Sequence, residues 1–197
     1  HKIKTNKTNI LGGIGVDFTQ FSYTPITHNH INFLFVGRLL HDKGIREFVE
    51  AAKNIKKQYP KTIFTVVGDI DQQNPASLSL QEKKDLEDND VINFKGFTNN
   101  VAQSLIDSSI FVLPSYREGL SLSTQEAMAI GRGVITTTAP GCSCTVQEGR
   151  TGFTIPPFNT DALEKKMTYF IMNKHKIKEL GHNAHVFAQK HFDATQQ

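Results

Sequence analysis

The chain has 197 residues, 38% of them apolar and 21% charged, with 22 Lys+Arg against 19 Asp+Glu for a formal charge of +3. This length supports one sizeable core, the composition excludes a disordered chain, and the charge balance is too mild to argue for nucleic acid, whose binders show a clustered basic face. Cys142 and Cys144 are too few for a disulfide framework or a four-ligand zinc site and point to a reducing compartment, the cytosol, while no apolar run approaches the ~18 residues of a membrane span.

Residues 1–10 (HKIKTNKTNI) are polar and basic and read as a linker or frayed segment, leaving 11–197 as the folded domain. The chain opens on His1 with no charged-then-apolar leader, so it reads as a processed chain or a piece of a longer one. NFLFV at 32–36 stops at Gly37, the pattern of a buried strand. Over 44–59, Ile45, Phe48, Val49, Ala52, Ile55 and Tyr59 recur on one helical face until Pro60. TIFTVV at 62–67 is a second strand, halted by Gly68. A polar loop and a short polar helix (79–87) lead to a third strand at 91–94 and a short helix at 101–106. IFVL at 110–113 is a fourth strand ended by Pro114, and STQEAMAI at 123–130 is a helix running to Gly131. Strands follow at 134–137 and 153–155, and helices at 161–172 and 174–190 close the chain.

Strands separated by helices imply right-handed βαβ crossovers and a parallel sheet. Six of them predict an α/β, Rossmann-like doubly wound fold in the order 3-2-1-4-5-6, with its switch point between the first and fourth strands. Ligands of such sheets bind beyond the carboxyl ends of those strands, which places loops 37–44 and 114–123 at the crevice.

The first loop, Gly37-Arg38-Leu39-Leu40-His41-Asp42-Lys43-Gly44, carries two cations at a helix N-terminus. Arg38 can grip two oxygens, Lys43 acts as a point charge, and the helix end adds free N–H groups, a set suited to a diphosphate; solvated surface charges are the alternative. The second loop presents Glu118 and, eight positions on, Glu126. Carboxylates accept hydrogen bonds from sugar hydroxyls, and Gly119 lets backbone approach a ligand. Against this, Ser123-x-x-Glu126 fits a purely structural capping box, and Glu118 fits a solvated loop acid.

The stretch PSYREGLSLSTQEAMAIGRGVITTTAPGCSCTVQEGRTGF resembles the second domain of glycosyltransferase family 4, retaining enzymes of the GT-B architecture. The family's E-x7-E pattern falls on Glu118 and Glu126, its G-R-[apolar]-x-x-x-K-G pattern on Gly37-Arg38 and Lys43-Gly44, its G-D loop on Gly68-Asp69, and its N-G-V-D domain start on Gly15-Val16-Asp17. The resemblance implies that Arg38 and Lys43 bind the diphosphate of a nucleotide sugar. Glu126 would then hold the ribose and Glu118 the donor sugar near its anomeric centre. Backbone at Gly119, Leu120 and Ser121 would meet sugar and phosphates, and Lys95, Gly96 and Phe97 would border the base. It further implies hexosyl transfer from a UDP-sugar to a glycan or lipid-linked acceptor in bacterial capsule, exopolysaccharide or lipopolysaccharide synthesis, without cofactor or metal. The resemblance implies that Glu118, Arg38 and Lys43 would carry the catalytic roles. The acceptor domain is expected N-terminal to His1, so this chain by itself is expected to transfer no sugar. Leu120-Ser121 stands where the family often has Phe-Gly, Gly133 where it has Pro, and Ile70 interrupts its G-D-G.

Other features carry less. Asp69-Ile70-Asp71 is a D-x-D of the kind that holds a divalent cation in other glycosyltransferases, though the G-D resemblance explains it better. His182, His185 and His191 sit on the last helix, where His182 and His185, three apart, could share a face but no third ligand is in view, and Cys142 and Cys144 have no nearby base to name. The last helix carries an apolar stripe of Ile177, Leu180, Ala184, Phe187, Ala188 and His191, with Lys174, Lys176 and Lys178 at its start. Packing on this domain or on an absent first domain is the simpler reading, and peripheral membrane contact the alternative. A non-catalytic nucleotide-binding module fits the same fold. A dinucleotide-dependent oxidoreductase fits less well, because no G-x-G-x-x-G follows the first strand.

Overall fold

A computed structural model of the chain describes residues 15–88 and 90–196. The linker expected over 1–10, and residues 11–14, lie outside the described residues. The sheet is six-stranded and parallel in the order β3-β2-β1-β4-β5-β6, the order the alternating pattern predicts. Its strands are β1 (Asn32–Val36), β2 (Ile63–Val67), β3 (Ile92–Phe94), β4 (Ile110–Leu113), β5 (Gly133–Thr137) and β6 (Gly152–Ile155). β1 pairs with β2 from Asn32↔Ile63 to Val36↔Val67, and on its other edge with β4 through Phe33↔Ile110 and Leu34↔Phe111. β1, β4 and β5 are buried along their whole length, which is why they read as continuous apolar runs rather than alternating ones.

Helices α1 (Ile45–Gln58), α2 (Leu80–Glu87), α3 (Val101–Ile106), α4 (Leu122–Ile130), α5 (Thr160–Met172) and α6 (Lys174–His191) flank the sheet. α1 buries Ile45, Phe48, Val49, Ala52 and Ile55 on one face and packs on α5. Tyr59 lies just past its end as the C-cap. A full capping box starts α2, with Ser79 and Glu82 satisfying each other's backbone N–H groups. α6 buries Ile177, Leu180, Ala184 and Ala188 against α4 and β5. Its stripe therefore has a partner inside this domain. Phe187 is half-buried and His191 exposed, so the buried stripe is narrower than the sequence pattern.

The start and end of the described chain are tied together. Val16 N donates to Phe192 O at 2.7 Å, and Ala194 N donates to Val16 O at 3.1 Å. A fully buried arginine ties together another part of the fold. The Arg132 guanidinium donates to the carbonyls of Thr24 and Leu105 at 2.8 Å and of Ile106 at 3.0 Å, and to Ile130 and Gly131. It thereby satisfies carbonyls at the C-terminal ends of α3 and α4, which are otherwise left without intrahelical donors. Burial pulls its pKa down to about 10, so it stays charged at neutral pH.

Candidate active site

β1 and β4 are neighbours whose connections leave on opposite sides, so a crevice opens beyond Val36 and Leu113. Two glycines set its shape. Gly68 has φ +142°, and an added Cβ would run into the Gly37 carbonyl, so the turns after β1 and β2 lie against each other. Leu39 N then donates to Asp69 O, and Leu78 N to Leu39 O, which fastens loop 69–78 along the first loop. After a short 3-10 turn (His41–Lys43), Gly44 takes φ +71° at the start of α1, where a Cβ would strike the Pro114 carbonyl. Only glycine combines that backbone with that approach. The two motif loops are thereby locked together: Tyr116 N and Ser115 Oγ both donate to Asp42 O, at 2.8 and 3.0 Å.

That contact brings two sequence candidates to one point. Lys43 Nζ donates to Glu118 Oε1 at 2.7 Å, with the side chains only 16% and 11% exposed. Behind Glu118, Gly141 (φ +79°) packs so closely that a Cβ would strike the Glu118 carbonyl, which holds the loop from below. Gly119 is exposed, with open space where a Cβ would lie. Leu120 packs partly on the core. The N–H groups of Gly119, Leu120 and Ser121, just before α4, donate to none of the described residues.

The Ser123-to-Glu126 capping box does not form. α4 begins one residue earlier than its pattern indicates, and its cap is Ser121, whose hydroxyl accepts from Thr124 N at 3.3 Å. Glu126 therefore has no capping duty. It is half-buried, and burial alone pushes its carboxyl up to about 7. Thr124 and Gln125 beside it are buried.

Beside the Lys43–Glu118 contact lies an open cleft of about 700 Å³. Gly37, Arg38, Asp69, Asp71, Lys83 and Phe97 are among the residues that line it. Arg38 donates to Asp71 Oδ2 at 2.8 Å and Lys83 to Asp69 Oδ1 at 2.7 Å, so each carboxylate of the D-x-D is paired with a cation. Lys83 is the main reason the Asp69 carboxyl sits below its usual range. Phe97 (73% exposed) and Leu80 (68%) offer bare apolar surface at the rim. Gly96, at φ +68°, accepts from Gly68 N. Lys95 points elsewhere, 4.0 Å from Asp107, and lines an adjoining recess with Phe97 and Asn100.

The remaining candidates fall to structural roles. His185 Nδ1 lies 2.6 Å from Ala129 O, and the rings of His182 and His185 pack on Tyr23. Cys142 is buried with its thiol pushed up by burial. Among the described residues no cluster of three or more His, Cys, Asp or Glu side chains is arranged to hold a metal ion. No described helix is long and apolar enough to cross a membrane.

Sequence reading missed Lys83 and considered Asp71 only as part of a D-x-D metal site, which it set aside. Both lie in loops or a polar helix with no periodic signal, and only their pairing across the cleft marks them.

The family profile of glycosyl transferases group 1 matches residues 18–187, a span that takes in both motif loops and the whole sheet. The chain belongs to that family. Among curated relatives, it is 26% identical over 195 residues to the N,N'-diacetylbacillosaminyl-diphospho-undecaprenol alpha-1,3-N-acetylgalactosaminyltransferase of Campylobacter jejuni, covering 92% of this chain and 50% of that one. It is 26% identical over 203 residues to the capsular polysaccharide biosynthesis glycosyltransferase CapM of Staphylococcus aureus, covering 97% and 53%. The chain thus spans about half the length of these relatives. Among solved structures, HepE of Anabaena in complex with UDP superposes with a TM-score of 0.80 at 22% identity, covering 92% of this chain and 53% of that one. The chain is a glycosyltransferase group 1 domain homologous to bacterial polysaccharide glycosyltransferases, with the Rossmann-like half-fold of GT-B enzymes.

Proposed function

We propose that this chain is the donor-binding domain of a retaining hexosyltransferase that takes its sugar from a UDP-sugar. The observation that carries the reading is the meeting of the two motif loops beyond the switch point, where Lys43 donates to Glu118 and the adjacent N–H groups of 119–121 have no partner among the described residues. Departure of a nucleoside diphosphate builds negative charge on its phosphates. Arg38, Lys43 and the adjacent N–H groups supply positive potential there, the kind of electrostatic stabilisation that is often the largest catalytic term in such reactions. In this reading Glu118 accepts from hydroxyls of the transferred sugar, and Glu126 from the ribose. The cleft edged by Phe97 and Leu80 suits the base. Uridine is favoured because the superposable HepE was solved with UDP and with UDP-glucose. No cofactor or metal is assigned, since the cations named carry the leaving charge.

The acceptor is proposed to be a glycan or lipid-linked sugar of bacterial surface polysaccharide, by analogy with the undecaprenol-linked and capsular activities named for the relatives. It would be held by a facing N-terminal domain, at the cytoplasmic face of the membrane. Positioning of two reactants is worth about 7–11 kcal/mol of barrier, so the chain without that domain should transfer no sugar. Calorimetry tests the donor reading: UDP should bind the chain with micromolar to millimolar affinity, about −8 to −4 kcal/mol, with or without EDTA. Strict dependence on Mg²⁺ or Mn²⁺ would instead return Asp69 and Asp71 to the role of metal ligands.

A further inference from the structure

Neither cation assigned to the diphosphate is free. Arg38 is paired with Asp71 in an exposed contact, and Lys43 with Glu118 in a nearly dry one, side chains 16% and 11% exposed. Exposed pairs contribute little, but a largely desolvated charge needs its partner, because leaving it alone costs far more than the pair is worth. Anything that takes Lys43 must therefore also give Glu118 something to do.

The three states of the site differ on this point. When it is empty, Glu118 holds Lys43. When a nucleotide sugar is bound, the diphosphate takes Lys43 and the sugar hydroxyls become new donors for Glu118. When only the nucleoside diphosphate remains, Lys43 is again claimed by phosphate while Glu118 has lost the sugar. Two like charges then compete for one ammonium with no compensating donor, an arrangement costly in a site of low dielectric.

We infer that Glu118 has a second role resting on the donor-site reading above: as the resident counter-ion of Lys43 it displaces the product nucleoside diphosphate and makes the site discriminate sugar-bearing donor from spent nucleotide. The loop geometry supports this, because the partners come from segments 75 residues apart and are clamped by the Gly44–Pro114 and Gly141–Glu118 approaches. The Glu118 backbone therefore stays beside Lys43 when the ammonium is taken. Asp71 does the same for Arg38 more weakly, since that pair is open to water.

The test is calorimetric titration of UDP into the purified chain and three variants, with circular dichroism melts to establish folding. Glu118→Gln keeps the shape and removes the charge, so UDP should bind about tenfold tighter. Lys43→Gln should bind UDP more weakly than wild type. In the double variant the gain from Glu118→Gln should vanish, because the competition runs through Lys43. Should Glu118→Gln fail to fold, Glu118→Asp, which shortens the reach by one methylene, should give a smaller gain in the same direction. Unchanged or weaker UDP binding by a folded Glu118→Gln chain overturns the inference, as does an equal gain in the Lys43→Gln background. Wild-type chain that binds no UDP at all overturns the donor-site reading itself, and this inference with it.

Discussion

Two sequestered cations serve this domain in opposite ways. Arg132 is fully buried and satisfied by backbone carbonyls drawn from α3, α4 and the segment around Thr24. Lys43 is nearly buried and satisfied by one carboxylate on a loop. Backbone carbonyls of packed helices cannot leave, so the first cation is a fixed strut. A side-chain carboxylate can change partner, so the second is exchangeable. The difference separates structure from chemistry better than burial does: what matters is whether a charge's partners can be replaced.

Substitutions sharpen that contrast. Arg132→Met should have the largest effect: Leu105 O and Ile130 O keep donors from Ser108 and Thr24, but the Thr24, Ile106 and Gly131 carbonyls lose theirs at about 1–3 kcal/mol each, so a loss of about 4 kcal/mol in chemical denaturation is expected. The fraction that remains folded should still bind UDP, since Arg132 lies away from the crevice. Full nucleotide affinity combined with an unchanged midpoint would mean that the guanidinium is not the strut described.

Gly44→Ala comes next. It forces an L-residue into the left-handed region and drives a Cβ toward the Pro114 carbonyl, so a loss of about 2–3 kcal/mol is expected, with weaker UDP binding as the loops separate. Thermal melts and calorimetry on the same preparation distinguish this from a neutral site, where both would hold.

Glu126 supplies a smaller effect with a definite sign. Its carboxyl is raised to about 7 in the folded chain against 4.5 for the free group. Folded protein therefore holds the proton over that interval while unfolded protein has released it. The contribution is fully present below about pH 4.5 and is lost as pH rises through about 7. Denaturation at pH 5, 6, 7 and 8 should show falling stability from this group, and Glu126→Gln should flatten that slope. In the same variant UDP should bind more weakly if the ribose is held there. A slope identical to wild type would show that burial does not govern this carboxyl.

Arg38→Gln should change stability least, by no more than about 0.5 kcal/mol, because its pair with Asp71 is solvent-exposed. Its effect should fall on UDP affinity alone, the mirror image of Arg132→Met.

The strand order, the switch point and the two facing loops were legible in the sequence because their causes are local. Apolar runs such as NFLFV and IFVL mark buried parallel strands, and the handedness of βαβ crossovers leaves few ways to order them. Gly37, Arg38, Lys43 and Glu118 could be placed at the crevice on those grounds, with roles drawn from a family resemblance. What tertiary structure alone decided were the pairings. The Lys43–Glu118 contact joins positions 75 apart, Arg132 reaches Thr24 across 108, and Arg38 meets Asp71 across 33. No periodicity encodes such contacts, because they depend on how closely glycine-mediated loops approach. The capping motif at 123–126 shows the same limit from the other side. Its local chemistry was sound, but Ser121 capped the helix first and left Glu126 free, half-buried and without a capping role. Helix phase is set by where packing lets the first turn begin, and that is a property of the folded domain.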